Sequence, residues 1–208
     1  MDRTTRFWDN IAERYGRKPV ADEAAYRRKL ETTREFLRPD MRVLEFGCGT
    51  GTTALGHAPF VGHILATDLS ANMLDIARRK AAADEVRNVT FKQSSMEAFE
   101  APAGSFDAIL CLSLLHLLAD RDAAVAKVAR LLRPGGIFVS GTVCMGDTMN
   151  LFRYIAPIGR MLGVLPLLSV FSKAELLGSI AGAGLTVERE WLAGRSVFAV
   201  AVKPRSGE

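Results

Sequence analysis

Of all segments in this chain, Val43-Leu44-Glu45-Phe46-Gly47-Cys48-Gly49-Thr50-Gly51 has residue types and spacing best suited to chemistry: an apolar run ending in glycines at every second position. Residues without a Cβ let a backbone turn tightly and approach a ligand closely, and a helix that follows presents its unbonded N–H groups there. The spacing is G-x-G-x-G. It is neither the G-x-G-x-x-G that seats a pyrophosphate nor a Walker loop, because no Gly-Lys-Ser/Thr follows, so a ligand without phosphates fits better. Glu45 is a carboxylate in an otherwise apolar run, where an unpaired charge is costly. It reads as the partner of a cationic end of that ligand, or as half of an ordinary salt bridge to an arginine. Asp68 closes the next apolar run, His63-Ile64-Leu65-Ala66-Thr67-Asp68. An ionised carboxylate only accepts hydrogen bonds and a vicinal diol offers two donors, so Asp68 reads as the anchor of a ribose. Its alternative reading is a charge at the N-terminus of the helix that starts after Ser70.

Other chemistries lack their residues. His57, His63 and His116 lie in separate segments with no carboxylate motif around them, so neither a Ser/His/Asp triad nor metal-ligand spacing is present and no metal is expected. His116, in Ser113-Leu114-Leu115-His116-Leu117-Leu118, follows the fourth apolar run. A histidine with a near-neutral pKa there can take a proton from a hydroxyl or an acidic carbon; the other reading is a structural loop histidine. Cys48, Cys111 and Cys144 are odd in number and far apart, which argues against a disulfide framework or zinc knuckle. The opening MDRTTRFWDN carries no apolar core of the signal-peptide type, so a cytoplasmic protein with reduced thiols is expected.

The elements that must position these residues are legible. Helical spacing is expected over residues 4–16 and 22–37, the second ended by Pro39. The runs RVLEF, HILATD, VTFKQ, FDAILCLS and GIFVSGT then alternate with helical segments, which predicts parallel pairing with helices on both faces, a doubly wound α/β sheet. Ser70 is the expected N-cap of NMLDIARRKAAA, Asp122 begins AAVAKVARLL, and Ser172 with Glu175 forms a capping box ahead of LLGSIAGAG. LTVEREWL and SVFAVAVKP are joined by Ala193-Gly194-Arg195, too short for a crossover helix, and so form a hairpin. The 208 residues, 49% of them apolar, are most simply one ordered domain.

Taken in order, VLEFGCGTG, ATDLS, SSMEAF, FDAILCLSLLHLL and LLRPGGIF resemble the motifs of the class I S-adenosylmethionine-dependent methyltransferases, over roughly residues 40–142 and, with the hairpin, to about 202. The resemblance implies a Rossmann-like seven-stranded sheet of order 3-2-1-4-5-7-6 with strand 7 antiparallel, S-adenosylmethionine as cofactor and S-adenosylhomocysteine as product. It assigns Gly47, Cys48, Gly49 and Gly51 to the methionine and ribose portions, Asp68 to the ribose hydroxyls, Leu69 to adenine packing, and Ser95 and Met96 to the adenine edge and face. Met96 also reads as plain core. Cys111 and Leu112 match the position whose main chain receives the methionine ammonium. Phe7 to Tyr15 resembles the lid helix of small-molecule methyltransferases, with Tyr15 either closing over the cofactor or simply packing.

Methyl transfer from a sulfonium needs alignment more than a nucleophilic residue, and alignment alone supplies on the order of 7 to 11 kcal/mol in the best models. Residues 1–38 are expected to act as lid helices and residues 143–172 as a substrate cap. The stretch 149–171 is apolar, but two arginines and two prolines argue against a membrane span. It suits a hydrophobic acceptor such as a quinone precursor or lipid, and transient contact with a membrane surface; a core or dimer helix is the other reading, and the chain is expected to be a monomer or homodimer. Net charge is a mild +4. The basic residues clustered mainly in the first forty positions, among them Arg27, Arg28, Lys29, Arg34 and Arg38, read as a solvated face, and the Asn/Asp-Pro-Pro-Tyr tetrad is absent after the fourth run, so a small molecule is expected over nucleic acid. Two rival functions remain: a catalytically silent S-adenosylmethionine-binding module, and an NAD-dependent oxidoreductase.

Overall fold

In the computed structural model, which describes residues 3–147, 168–194 and 196–205, each expected apolar run is a strand. The chain forms two compact units, Met1–Glu100 and Ala101–Glu208. The strands follow the order β3-β2-β1-β4-β5-β7-β6.

In the first unit β1 (Arg42–Phe46), β2 (His63–Asp68) and β3 (Val89–Gln93) pair in parallel, with Glu45 beside Ala66 and Asp68 beside Gln93. Leu44, Ile64 and Ala66 are fully buried, as strands covered on both faces require. Helix α1 (Arg3–Gly16) presents Trp8, Ile11 and Ala12 on one face, at i, i+3 and i+4, to Met73 and Ile76 of α4 (Ala71–Ala83). Ser70 caps α4 as expected, its hydroxyl accepting from the Met73 amide. Helix α2 (Glu23–Arg34) starts on Asp22 and stops three residues short of the expected 37. Phe36 and Leu37 bond back to Thr33 and Arg34, a tightening to i−3 bonds ahead of Pro39. A short helix, α3 (Thr52–His57), leaves the glycine loop.

In the second unit β4 (Phe106–Leu112) and β5 (Leu132–Val143) pair in parallel, and β7 (Ser196–Val202) lies antiparallel to β5 and to the edge strand β6 (Thr186–Ala193). The expected hairpin is therefore present, and its edge carries Glu188, Arg189 and Glu190, which discourage further strand addition. Helix α5 (Arg121–Leu131) begins earlier than the expected Asp122: Asp120 is the N-cap, its carboxylate accepting from the Ala123 amide at 2.8 Å. Strand β5 begins at Leu132 rather than Gly136, because Leu132 pairs with Phe106; the register then shifts across an irregularity before Ala108 pairs with Ile137. Helix α6 (Lys173–Gly182) opens on the Ser172–Glu175 capping box. Most of the expected cap, 148–167, lies outside the described residues. Among the described residues no helix is long and apolar enough to cross a membrane.

Candidate functional site

The loop leaving β1 turns through three left-handed residues, Gly47, Gly49 and Gly51, at φ of 66°, 53° and 75°. The glycines differ in what surrounds them. A Cβ on Gly51 would lie 2.8 Å from the Ala77 Cβ and 3.1 Å from the Phe91 ring, so Gly51 is the point where the loop passes under α4. A Cβ on Gly49 would meet nothing within 4 Å. Gly51 thus serves packing, whereas Gly49 presents bare backbone to open space.

Asp68 ties this loop to the end of β2. Its Oδ2 accepts the Gly49 amide at 2.8 Å and its Oδ1 the Ser70 amide at 2.9 Å, while the Cys48 amide donates to the Thr67 carbonyl. The carboxylate thus stands ahead of α4, where the helix-terminus reading places it, and also against the glycines of the loop. Burial pushes its carboxyl above the usual range, the amides of Ser70, Gly49 and Leu69 draw it back, and the charge of Asp9 pushes it up.

Glu45 is 2% exposed, and its Oε2 finds no hydrogen-bond partner among the described residues. Burial, and then the charge of Asp68, push its carboxyl up to about 8. Among the described residues no salt bridge from an arginine to Glu45 is formed, and a buried carboxyl with an unused oxygen suits a cation arriving with a ligand. The donor set thus fits the expected cofactor: a carboxylate with spare lone pairs for a ribose diol, a buried acid for a cationic end, and bare glycine backbone beside them.

The remaining first-unit candidates gather near this loop to different degrees. The Ser94 amide donates to the Asp68 carbonyl, which brings the turn holding Ser95 and Met96 beside Asp68. Ser95 Oγ accepts from the Ala98 amide at 3.1 Å, and Met96 is 5% exposed, consistent with its core reading. The Leu69 carbonyl accepts from Gln93. Tyr15 is 46% exposed and meets Trp8 edge-on at 6.2 Å between centroids. Its neighbour Gly16 approaches Thr50 of the loop, where a Cβ would lie 3.6 Å from the threonine methyl. Cys48 is buried, its thiol raised by burial and by the charges of Glu45 and Asp68.

Two contributors carried no sequence signal as site residues. Lys80 Nζ donates to Thr50 Oγ1 at 3.1 Å and Thr52 Oγ1 at 3.0 Å, bracing the loop from α4. Asp9 accepts from Ser70 Oγ at 2.6 Å across 61 positions of sequence. Neither partnership follows a local spacing rule, so only the folded chain exposes them.

In the second unit Cys111 is fully buried in β4, paired in register with Ser140. His116 lies in the one-turn helix Leu115–Leu117. Its backbone amide donates to Thr142 Oγ1 at 3.2 Å and its Nδ1 lies 3.0 Å from the same oxygen. The ring is half-buried, and burial brings its pKa down to about 4 rather than near neutrality. The imidazole is consequently neutral at pH 7 and a weaker base than the sequence reading assumed.

Comparisons with known proteins agree with this architecture. Residues 43–136 match the methyltransferase domain family. The matched stretch, a little under half of the chain, is similar to methyltransferase domains, in agreement with the resemblance read from the sequence. The chain is 37% identical over 102 residues to the uncharacterized methyltransferase YcgJ of Bacillus subtilis, covering 49% of this chain and 40% of that one. It is 31% identical over 135 residues to the ubiquinone biosynthesis O-methyltransferase of Sinorhizobium medicae, covering 65% of this chain and 49% of that one. The match thus spans about half the length of these relatives, or less. The crystal structure of YcgJ superposes with a TM-score of 0.72 at 20% identity, over 86% of this chain and 99% of that one. A geranyl diphosphate methyltransferase in complex with GPP and sinefungin gives 0.72 at 16% identity, over 96% and 98%. At these identities the structures establish the shared fold.

Proposed function

We propose that this chain transfers a methyl group from S-adenosylmethionine to a small hydrophobic acceptor, leaving S-adenosylhomocysteine. The observation that carries the proposal is the Asp68 carboxylate, fixed between the amides of Gly49 and Ser70 at the end of β2. Two amides orient it while its remaining lone pairs stay available to a ribose diol. When bound, the sulfonium supplies an activated methyl for in-line displacement. The protein's part is then binding and alignment: Gly47, Cys48, Gly49 and Gly51 would border the methionine and ribose, Glu45 would face a cationic group, and Leu69, Ser95 and Met96 would flank adenine. Cys111 would offer its main chain to the ammonium, and Tyr15 would shield the cofactor.

His116 stays in the proposal as a neutral ring, oriented by Thr142, that hydrogen-bonds the acceptor; a proton-abstracting role asks for a pKa nearer 7. The hydrophobic acceptor class is supported by the apolar composition of residues 149–171 and by relatives named for ubiquinone biosynthesis and for geranyl diphosphate. Calorimetry tests the cofactor: S-adenosylmethionine binds and NAD does not, and Asp68→Ala weakens binding at least tenfold. An unchanged affinity in that variant removes the ribose assignment. A methyl-transfer screen of quinone-precursor and lipid pools with mass detection tests the acceptor; cofactor binding without turnover in any pool would support a silent binding module instead.

A further inference from the structure

Ser70 occupies a junction. Its amide holds Asp68 Oδ1, its hydroxyl accepts the Met73 amide as the cap of α4, and the single hydroxyl proton goes to Asp9 Oδ1 on α1 at 2.6 Å. The same Asp9 oxygen accepts the Asn72 amide at 3.2 Å, and Asn72 Nδ2 donates back to the Asp9 carbonyl at 3.1 Å. A carboxylate from one helix thus completes the N-terminal cap of another, where the free amides and the helix dipole favour negative charge. Ser70 is fully buried and Asp9 half-buried, so little water competes for the bond between them. By contrast the ion pair between these helices, Arg79 to Glu13, is exposed on both sides and worth little.

We propose that Asp9 is a positioning residue for cofactor binding: through Ser70 it fixes the turn that aims the Asp68 carboxylate, and so couples the docking of α1 to occupancy of the site. The inference rests on the proposed function for the identity of the ligand, though the clasp itself is a property of the ligand-free protein. Two hydrogen bonds in series carry the coupling, the Ser70 hydroxyl to Asp9 Oδ1 and the Ser70 amide to Asp68 Oδ1. Removing the Asp9 carboxylate leaves the buried Ser70 hydroxyl without its acceptor and frees the turn. Coupling is reciprocal by linkage, so a ligand that pulls on Asp68 tightens α1.

The test measures amide hydrogen exchange over residues 4–16 and S-adenosylmethionine affinity in the full chain and in Asp9→Ala, Asp9→Asn, Ser70→Ala, the Asp9→Ala/Ser70→Ala double variant and Arg79→Ala. Asp9→Ala is expected to speed exchange in α1 without unfolding α4 and to weaken binding about tenfold, the scale of one hydrogen bond to a charged group. Asp9→Asn keeps an acceptor oxygen and should stay within about threefold. Ser70→Ala, which also loses the cap of α4, should lose at least as much as Asp9→Ala, the double variant should be no worse than Ser70→Ala alone, and Arg79→Ala should behave as the unmodified protein. The proposal is overturned if Asp9→Ala binds with unchanged affinity, if the two losses simply add, or if Arg79→Ala is as damaging, which would mean generic helix docking. Failure of the unmodified chain to bind S-adenosylmethionine would sink the proposed function. Unchanged α1 exchange in ligand-free Asp9→Ala would sink the clasp separately.

Discussion

Replacing Gly49 and Gly51, one at a time, by alanine separates the loop's two duties. Both residues have positive φ, so each alanine carries roughly 1–2 kcal/mol of backbone strain. At Gly51 the new methyl also meets the Ala77 Cβ at 2.8 Å and the Phe91 ring at 3.1–3.2 Å, closer than carbon atoms settle. One of them belongs to α4 and the other to β3, neither the free end of a long side chain, and overpacking of this kind costs about 1–3 kcal/mol. Gly51→Ala should therefore lose roughly 2–5 kcal/mol of folding stability and Gly49→Ala only roughly 1–2 kcal/mol. Binding should rank the other way. The Gly49 methyl projects into the open space from which a ligand would approach the backbone, so that variant should lose S-adenosylmethionine affinity more than tenfold while remaining folded. Urea unfolding monitored by circular dichroism gives the first ranking, and calorimetry below the unfolding transition gives the second. Equal stability for the two variants would refute the packing argument. Full affinity in Gly49→Ala would refute the placement of the ligand.

Four further outcomes are expected. Glu45 is protonated at pH 7 in the ligand-free protein, its carboxyl raised to about 8, so binding a cationic cofactor should release up to about one proton; the calorimetric enthalpy should then vary with buffer ionisation heat, and Glu45→Gln should abolish that variation. The unfolded chain releases the Glu45 proton first, so stability without ligand should fall as pH rises from about 4.5 to about 8 and level off above, a slope that Glu45→Gln should flatten. His57, fully buried with neither ring nitrogen bonded among the described residues, is lowered to about 4. The unfolded chain therefore binds the proton first, and stability should fall as pH drops from about 6.5 to about 4, by roughly 3 kcal/mol at most, a slope that His57→Leu should flatten. Cys48, Cys111 and Cys144 are free and buried, so a thiol reagent should label all three at the rate of unfolding, and fast labelling of any one in native buffer would contradict its burial.

Much of the architecture was legible because it rests on short-range rules. Period-two and continuous apolar runs marked the strands, Ser70 and the Ser172–Glu175 pair marked helix starts, and a three-residue link marked the hairpin. The alternation G-x-G-x-G identified the loop, and Asp68 could be placed at the end of β2 because a strand ends where its apolar pattern does. Helix ends slipped by a few residues through local caps and i−3 bonds, and at one strand a long-range contact overruled a local cue. Strand β5 starts at Leu132 despite the Pro-Gly-Gly that follows because Phe106 supplies its register partner.

What the amino-acid order determined by itself was thus the order of elements and the residue types at the loop: glycines that permit positive φ and carboxylates where charge is rare. Only the tertiary structure decided which glycine packs and which stays open, that Glu45 Oε2 is buried without a hydrogen-bond partner among the described residues, that burial moves His116 away from neutrality, and that Asp9 reaches Ser70. Desolvation and hydrogen bonding depend on what surrounds an atom in space, and those surroundings come from residues dozens of positions away, which no local pattern encodes.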